Sequence, residues 1–513
     1  MLNSVDFSGR PFHFIGIGGI GMSALAYVLA KRNLPVSGSD ISLSHITQRL
    51  QEQGAHIFWS QDATNLDFFQ RSALTNGDVA RPGSNGTVAV KTTSESLKLR
   101  EHTLDQATVL LLPQVICSTA INAANPEYRA ALDLGCPIFH RSDLLAALIQ
   151  NYYSIAVAGT HGKTTTSSMI GYLLLKAGLD PTIVVGGEVN AWQGNARLGE
   201  GPYLVAEADE SDGSLVKFAA EVGIITNIEL DHPDHYTTLD QVIETFTTFA
   251  QNCRTLIGCI DCETVRQRFK PTISYSLHLE SQADYTVDDV VYGAEGTTAQ
   301  VWERGKPLGR LHLKLLGQHN LSNALAAIAV GRLLNLSFHA IAPILTTFEG
   351  ARRRFEHRGE ANNILFIDDY AHHPSEIQAT LAAARLHAAS NQASRRVVAV
   401  FQPHRYSRTK TFLNEFAQAF GNADLVVTTD IYSAGEPDLG LVSGPQLAEA
   451  IATYHPQVIY QPTLLTITDY LKQALQPGDL VMFLGAGNLN RTIPDLIAHY
   501  QQIEQASAST HCK

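Results

Sequence analysis

Short apolar runs, polar turns and stretches of helical spacing follow one another along most of this chain. Apolar runs at 155–158, 203–206, 222–226, 364–367, 397–401, 425–428, 458–460 and 480–484 read as buried strands. Stretches at 24–31, 167–177, 375–389 and 411–420 carry helical spacing. Strand followed by helix, repeated, predicts parallel sheets with crossover helices, an α/β fold. Segments at 285–292, 298–302 and 310–315 alternate residue by residue and predict extra antiparallel strands. Near the start, a strand from Phe12 runs into glycines, and 35–40 predicts a second strand. Residues 107–118 and 138–141 predict two more, with a helix opening at Asn125. Ser142 and Asp143 are expected to cap a helix at 144–150, and Asn320 a long alanine-rich helix to about 334. Residues 75–103 are polar without period and are read as a surface insertion.

The length of 513 residues points to about three domains. Breaks in the pattern place them at 1–150, 151–350 and 351–513. A hydrophobic share of 45% and a charged share of 17% fit a soluble globular protein. The net charge, 37 − 49 = −12, argues against non-specific nucleic-acid binding. No apolar run is long enough for a membrane span, and residues 1–10 lack a signal-peptide core, so a cytoplasmic protein is expected. Six scattered cysteines make no disulfide framework; Cys259 and Cys262 form a lone CxxC, read as free thiols, with a zinc or redox role as the alternative.

Two glycine loops carry the chemistry. Gly159-Thr160-His161-Gly162-Lys163-Thr164-Thr165 lies between a strand and a helix. Glycines let backbone N–H groups close on phosphates, and the helix start adds partial positive charge. Lys163 would reach the terminal phosphates and the Thr164 hydroxyl a Mg²⁺ ion. Val157 stands where the longer form of this loop has its first glycine, so the loop is shortened. An ordinary strand-to-helix turn is the bland alternative. The second loop, Gly16-x-Gly18-Gly19-x-Gly21-Met22, is followed by Asp40, 19 residues after Gly21. It suits a diphosphate on a helix start and a ribose hydroxyl on the acid, and NAD and a UDP-sugar carry both groups.

Polar clusters sit where strands end. Glu207-Ala208-Asp209-Glu210-Ser211-Asp212 and Asn227-Ile228-Glu229-Leu230-Asp231-His232-Pro233-Asp234-His235 supply acids and histidines read as Mg²⁺ ligands, against solvated turns or half a zinc site. Asn320 and Asn323 are one helical turn apart and can face one ligand. Tyr370-Ala371-His372-His373-Pro374 and His404-Arg405-Tyr406-Ser407-Arg408 end two further strands. Arg405 and Arg408, three apart at a helix start, are expected to share a face and suit a carboxylate.

With Arg353-Arg354-Phe355, these stretches make the sequence similar to the Mur ligases over nearly its whole length, within the branch that adds the first amino acid of the peptidoglycan stem. That resemblance implies a Rossmann-like N-terminal UDP-sugar domain, a central P-loop ATPase-like domain with added antiparallel strands, and a Rossmann-like C-terminal amino-acid domain. It implies ATP, Mg²⁺, UDP-N-acetylmuramate and L-alanine as ligands, and a monomer or weak homodimer. It implies phosphate contacts from Gly159 to Thr165, chiefly Lys163; metal ligation by Thr164, Glu207 and His232; and adenine-side contacts from Asn320, Asn323 and Arg353. Gly16, Gly18, Gly19, Gly21, Met22, Asp40 and Ser118 would meet the UDP-sugar. Tyr370, His372, Arg405 and Arg408 would line the amino-acid side, with His372 the expected base. A nicotinamide oxidoreductase, a silent sensor and a relative with another acceptor are the rivals; the first leaves Lys163 and Glu207 without a role.

Overall fold

The structure, a computed structural model, describes residues 4–42, 44–69, 112–389 and 394–511. The expected insertion at 75–103 and the start of the strand expected at 107–118 lie outside the described residues. The chain divides into two compact units. The first comprises Met1–Tyr152, Thr182–Gly186 and Asn195–Glu200.

In the first unit, β1 (Phe12–Ile15), β2 (Val36–Ser39), β3 (His56–Phe58), β4 (Gln114–Cys117) and β5 (Ile138–His140) form one sheet in the order β3-β2-β1-β4-β5. Each neighbouring pair is parallel. The chain leaves β1 between strands that lie to either side, which is where an open parallel sheet offers a ligand crevice. The glycine loop occupies that point and leads into α1 (Ile20–Lys31). Not all of the interior is apolar. His13 and Glu127 are fully buried, and His13 Nε2 lies 2.8 Å from Glu127 Oε1. Asn65 also donates to that carboxylate, at 2.9 Å.

Helix α2 (Arg141–Gln150) corrects one expected cap. Its N-cap is His140, whose Nδ1 accepts the Ser142 N–H at 3.3 Å, and Asp143 closes the capping box by accepting the His140 N–H at 2.8 Å. The helix therefore starts before Ser142.

The second unit comprises Tyr153–Pro181, Gly187–Gly194 and Gly201–Lys513 and contains two sheets. The central sheet starts from β6 (Tyr153–Ala158), which leads into α3 (Lys163–Lys176). β7 (Thr182–Val189) and β8 (Gly194–Arg197) follow in the strand order, Thr182–Gly186 and Asn195–Arg197 of them being counted with the first unit. Then come β9 (Tyr203–Glu207), β10 (Val222–Ile225), β11 (Thr255–Cys259), β12 (Ile273–Tyr275), β13 (Tyr285–Gly293), β14 (Gly296–Glu303) and β15 (Lys306–Leu313). β6 pairs in parallel with β9 on one side and β10 on the other. The antiparallel ladder β13-β14-β15 extends the sheet, as the single-residue alternation predicted. β15 is the edge; Lys306, Pro307 and Arg310 on it are exposed, and its register with β14 shifts at Val301/Trp302.

Helix α4 (Gln318–Leu333) is capped by Gly317 at φ +89°, so Asn320 lies inside the first turn and is not the cap. Its side chain instead donates back to the Leu316 carbonyl at 2.8 Å.

The last sheet contains β16 (Glu356–Ala361), β17 (Ile364–Asp369), β18 (Arg396–Phe401), β19 (Leu425–Thr428), β20 (Val458–Tyr460) and β21 (Asp479–Leu484), in the order β16-β17-β21-β18-β19-β20. All pairs are parallel except β16 with β17. Its strands are apolar at consecutive positions because both faces are covered. Leu365, Ile367, Val397, Ala399 and Phe401 enter one core; Ile364, Phe366, Val398 and Val400 enter the other. Helix α5 (Pro374–Ala388) follows β17, and the short α6 (Tyr406–Thr411) follows β18. The helix expected at 411–420 is instead α6 and a separate turn of helix, Leu413–Ala417. Among the described residues no helix is long and apolar enough to cross a membrane.

Candidate active site

The central loop closes on itself before it could close on anything else. Gly159 has φ +141°, and a Cβ there would stand 1.9 Å from Thr226 Oγ1, so no other residue fits. Gly162 has φ +81° and caps α3, where a Cβ would meet Asn323 Oδ1 at 2.7 Å. Thr226 and Asn227, just past β10, pin the loop: Thr226 Oγ1 donates to the His161 carbonyl at 2.6 Å, and the His161 N–H donates to Asn227 Oδ1 at 2.8 Å. Asn323, on α4, accepts from Thr166 Oγ1 at 3.0 Å.

Lys163 Nζ donates to the carbonyls of Gly159 at 2.6 Å and Thr160 at 3.1 Å, and to Glu210 Oε1 at 2.9 Å. Burial works against its charge, but Glu210, Asp209 and Glu207 outweigh that and raise its pKa. Burial pushes the Glu210 carboxyl up to about 7. One step along α3, Thr164 Oγ1 donates to Glu207 Oε1 at 3.1 Å. His232 sits at φ +54°, an unusual conformation for a residue with a side chain. Its Nε2 lies 3.6 Å from Asp231 Oδ2 and 4.0 Å from Glu210 Oε1. Glu207, Glu210, His232, Lys163 and Thr164 thus converge at the mouth of α3; Lys163, Thr164, Glu207 and His232 are the four that the resemblance singled out.

The C-terminal sheet meets this region through its strand ends. Arg408 donates from Nε at 2.9 Å and Nη2 at 2.8 Å to Asp231 Oδ1, and both residues are buried. Arg405 donates to Asp234 at 2.8 Å and Glu436 at 3.2 Å. His372 Nδ1 donates to the Tyr370 carbonyl at 2.9 Å, which fixes its tautomer and leaves the lone pair on Nε2. Burial depresses the His372 pKa to about 3, so the ring is neutral. The guanidinium of Arg353 lies 4.8 Å from the Tyr370 ring centre, and its Nη2 donates to the Gly485 carbonyl at 2.6 Å.

Family models cover three successive stretches of the chain. Residues 11–153 match the Mur ligase family catalytic domain, 157–331 the Mur ligase middle domain, and 353–487 the Mur ligase glutamate ligase domain. A curated relative from Nostoc punctiforme, a UDP-N-acetylmuramate–L-alanine ligase, is 66% identical over 99% of this chain and 100% of its own. The chain belongs to the Mur ligase family. Another relative of that name, from Trichormus variabilis, is 66% identical over 97% of this chain and 98% of its own. The solved UDP-N-acetylmuramate-alanine ligase of Thermotoga maritima is 26% identical, with a TM-score of 0.75 over 96% of this chain and 99% of that one. The solved murein peptide ligase of Psychrobacter arcticus, 22% identical with a TM-score of 0.65 over 96% of this chain, shares the fold.

Within this Mur ligase, several expected residues have other partners. Asp40 accepts the Gly18 N–H at 2.8 Å, tying the acid to the first glycine loop. Met22 is buried in α1, and Ser118 lies beside Gly16. Arg405 and Arg408 do not share a helix face: Arg405 precedes α6 as its N-cap at φ +70°, and the two pair with different acids. Asn320 and Asn323 do come together, Asn323 donating to Asn320 Oδ1 at 3.4 Å. Thr165 is buried in the first turn of α3.

Glu376 gains a role that the sequence reading had not assigned, and Glu210 and Glu229, read within clusters of candidate Mg²⁺ ligands, have Lys163 and His161 as partners. His161, on the loop, lies between Glu229 and Glu376. Its Nε2 is 3.5 Å from Glu229 Oε2 and its Nδ1 3.3 Å from Glu376 Oε1. Burial alone would depress the ring, but these carboxylates outweigh it and raise the pKa to about 10. His373 is adjacent, and one ligand atom from each of His161, Glu229 and His373 falls within 4.8 Å of the others. His373 Nδ1 accepts the Ser375 N–H at 3.3 Å, so the neutral ring carries its proton on Nε2 and offers no lone pair there.

The raised His161 value has a pH signature. Its contribution to stability is complete below about 6.5, the ordinary value, and is lost as pH rises towards about 10. With Glu229 partly exposed, about 2 kcal/mol is expected to disappear across that window. Thermal melts at both ends of it should show a steeper alkaline loss for the wild type than for His161→Ala; parallel losses would refute the assignment.

Proposed function

We propose that this Mur ligase joins L-alanine to the lactyl carboxylate of UDP-N-acetylmuramate, with ATP cleaved to ADP and phosphate, as its close relatives are named to do. The observation that carries this reading is the convergence of Lys163, the Thr164–Glu207 pair and His232 at the start of α3, beside the strand ends that hold His372 and Arg405.

A carboxylate is a poor acyl donor, and phosphorylation makes it a good one. One carboxylate oxygen attacks the γ-phosphorus and ADP leaves. The alanine amine then attacks the acyl carbon, phosphate leaves with the C–O electron pair, and the amine proton passes to a base. The first step joins two anions, so alignment and charge neutralisation carry it. Lys163 supplies positive charge to the terminal phosphates, and the amides of Gly159 to Thr165 cradle them. Thr164, Glu207 and His232 would hold Mg²⁺. Hydroxyl and carboxylate oxygens suit that ion, and Glu210 Oε2 beside them is buried without a hydrogen-bond partner among the described residues. When bound, the ion adds positive charge against the phosphates.

His372, with its Nε2 lone pair free, accepts the amine proton. Arg405, whose pairs with Asp234 and Glu436 are open to water, holds the alanine carboxylate, whereas Arg408 is committed to buried Asp231. Asn320, Asn323 and Arg353 take the adenine side, and the first glycine loop with Asp40 and Ser118 takes the UDP-sugar. The reaction belongs to peptidoglycan-precursor synthesis in the cytoplasm, carried out by a monomer or weak homodimer.

Phosphate release from purified protein, ATP and Mg²⁺ tests the reading. Release should require UDP-N-acetylmuramate and be fastest with L-alanine. Equal release with an acidic amino acid, or without the UDP-sugar, would sink it.

A further inference from the structure

Glu376 is the third residue of α5 and one of its most occupied side chains. Oε2 accepts the backbone N–H of His372 at 3.0 Å and of His373 at 3.2 Å, and lies 3.2 Å from His372 Nδ1. Oε1 faces away from these, towards His161 Nδ1 at 3.3 Å and Arg354 Nη1 at 4.0 Å. The side chain is 13% exposed. Burial resists its charge, yet His372, His161 and Arg354 hold the carboxyl well below the usual carboxylate range.

Capping α5 does not call for that charge. A glutamine at the third helical position closes a capping box as a glutamate does. The surplus is the negative charge, and it stands beside His372. Every charged group that faces His372 bears on this. Arg408 opposes a proton on the ring, and so does His404, 5.8 Å away. Asp231 favours one, but both of its contacts with Arg408 run to a single oxygen of a carboxylate already neutralised by that guanidinium. Glu376 is the anion in contact with the imidazole.

We propose that Glu376 is a positioning residue for the amine-attack step: it holds the His372 loop in place and balances the imidazolium that forms when Nε2 takes the amine proton. This rests on the reading of His372 as the base. The alanine ammonium gives one proton to Nε2, the freed lone pair forms the C–N bond, the C–O bond to phosphate breaks with its electron pair, and the departing phosphate takes the second nitrogen proton. The charge that appears on His372 is met by a carboxylate already fixed at one end of the ring. The other oxygen is anchored to His161 of the phosphate loop, so the base is aligned on the segment that carries the nucleotide.

Glu376→Gln keeps the N–H acceptor and removes the charge. Alanine-dependent turnover should fall about 100-fold, while KM for ATP and for UDP-N-acetylmuramate changes less than about threefold. Hydroxylamine, a nucleophile already neutral near neutral pH, needs no base. Hydroxamate formation with it in place of alanine should therefore stay within about threefold of wild type. Glu376→Asp, which restores the charge, should recover at least about tenfold of the loss. A parallel fall in the alanine and hydroxylamine reactions would overturn the proposal, because it would place the carboxylate's effect on phosphoryl transfer through His161. Wild-type turnover in Glu376→Gln would overturn it too. His372→Asn separates the two readings: if it is slow while Glu376→Gln is fast, only the present proposal fails; if it is fast, the base assignment fails first.

Discussion

Lys163→Ala is expected to lower turnover by about 10³- to 10⁵-fold, the range seen when a cation facing a transferring phosphoryl group is removed. Its ammonium touches two loop carbonyls and Glu210 at the start of α3. Removing it withdraws positive charge where a triphosphate and a carboxylate must meet. The fold should survive. Glu210 titrates near neutrality, at about 7, and loses its partner without leaving a buried charge, since it can take a proton. Affinity for the UDP-sugar should be close to wild type, because the first glycine loop belongs to the other compact unit. Lys163→Arg should not rescue, as a planar fork does not replace a point charge held between two carbonyls. Single-turnover kinetics with calorimetry of UDP-sugar binding makes the comparison. Turnover within tenfold of wild type, or loss of UDP-sugar binding in step with turnover, would remove Lys163 from the chemistry.

Asp231→Ala is the second large effect, and it falls on stability. Arg408 is 2% exposed, and its guanidinium donates twice to Asp231. Deleting the acid leaves a buried cation, at a cost of about 3–5 kcal/mol. Arg405→Ala breaks contacts to Asp234 and Glu436 that are open to water, for which about 1 kcal/mol or less is expected. The double variant Asp231→Ala/Arg408→Met should recover most of the loss, because removing both charges is nearly neutral where removing one is not. Denaturant unfolding of the four proteins decides the matter. Asp231→Ala within about 1 kcal/mol of wild type would mean that water reaches the Arg408 guanidinium.

Much of this was legible in the sequence, for identifiable reasons. Consecutive apolar residues in β6, β10, β17, β18 and β21 pointed to strands covered on both faces, and the two cores around β17 and β18 account for that pattern. Gly159 and Gly162 stood out because they lie between an apolar run and Lys163-Thr164, and their backbone angles and close approach to Thr226 and Asn323 admit no side chain. Caps were misread where the rule finds a residue type but not the helix start. Ser142 and Asn320 are good cappers, yet His140 and Gly317 begin those helices. Arg405 and Arg408 failed for a related reason, because helical spacing does not apply to a residue outside the helix. Polar β16 has no apolar run to announce it, being an edge strand. Glu376 looks like any other acid in the sequence, and nothing there separates Glu210 and Glu229 from the other acids of their clusters. What sets the three apart is contact with Lys163 and His161, which only the packed sheets create.

The rim of the central sheet bears on the chain's behaviour among its own copies. β15 stands at the end of its sheet, with no further strand paired beyond it, and such a border can template fibrillar growth. Lys306 and Arg310 repel a second strand laid alongside, and Pro307 has no amide hydrogen to offer it. Many nascent molecules can therefore mature in a crowded cell without stitching together at that border, and neutralising those two cations would be the shortest route to insoluble protein.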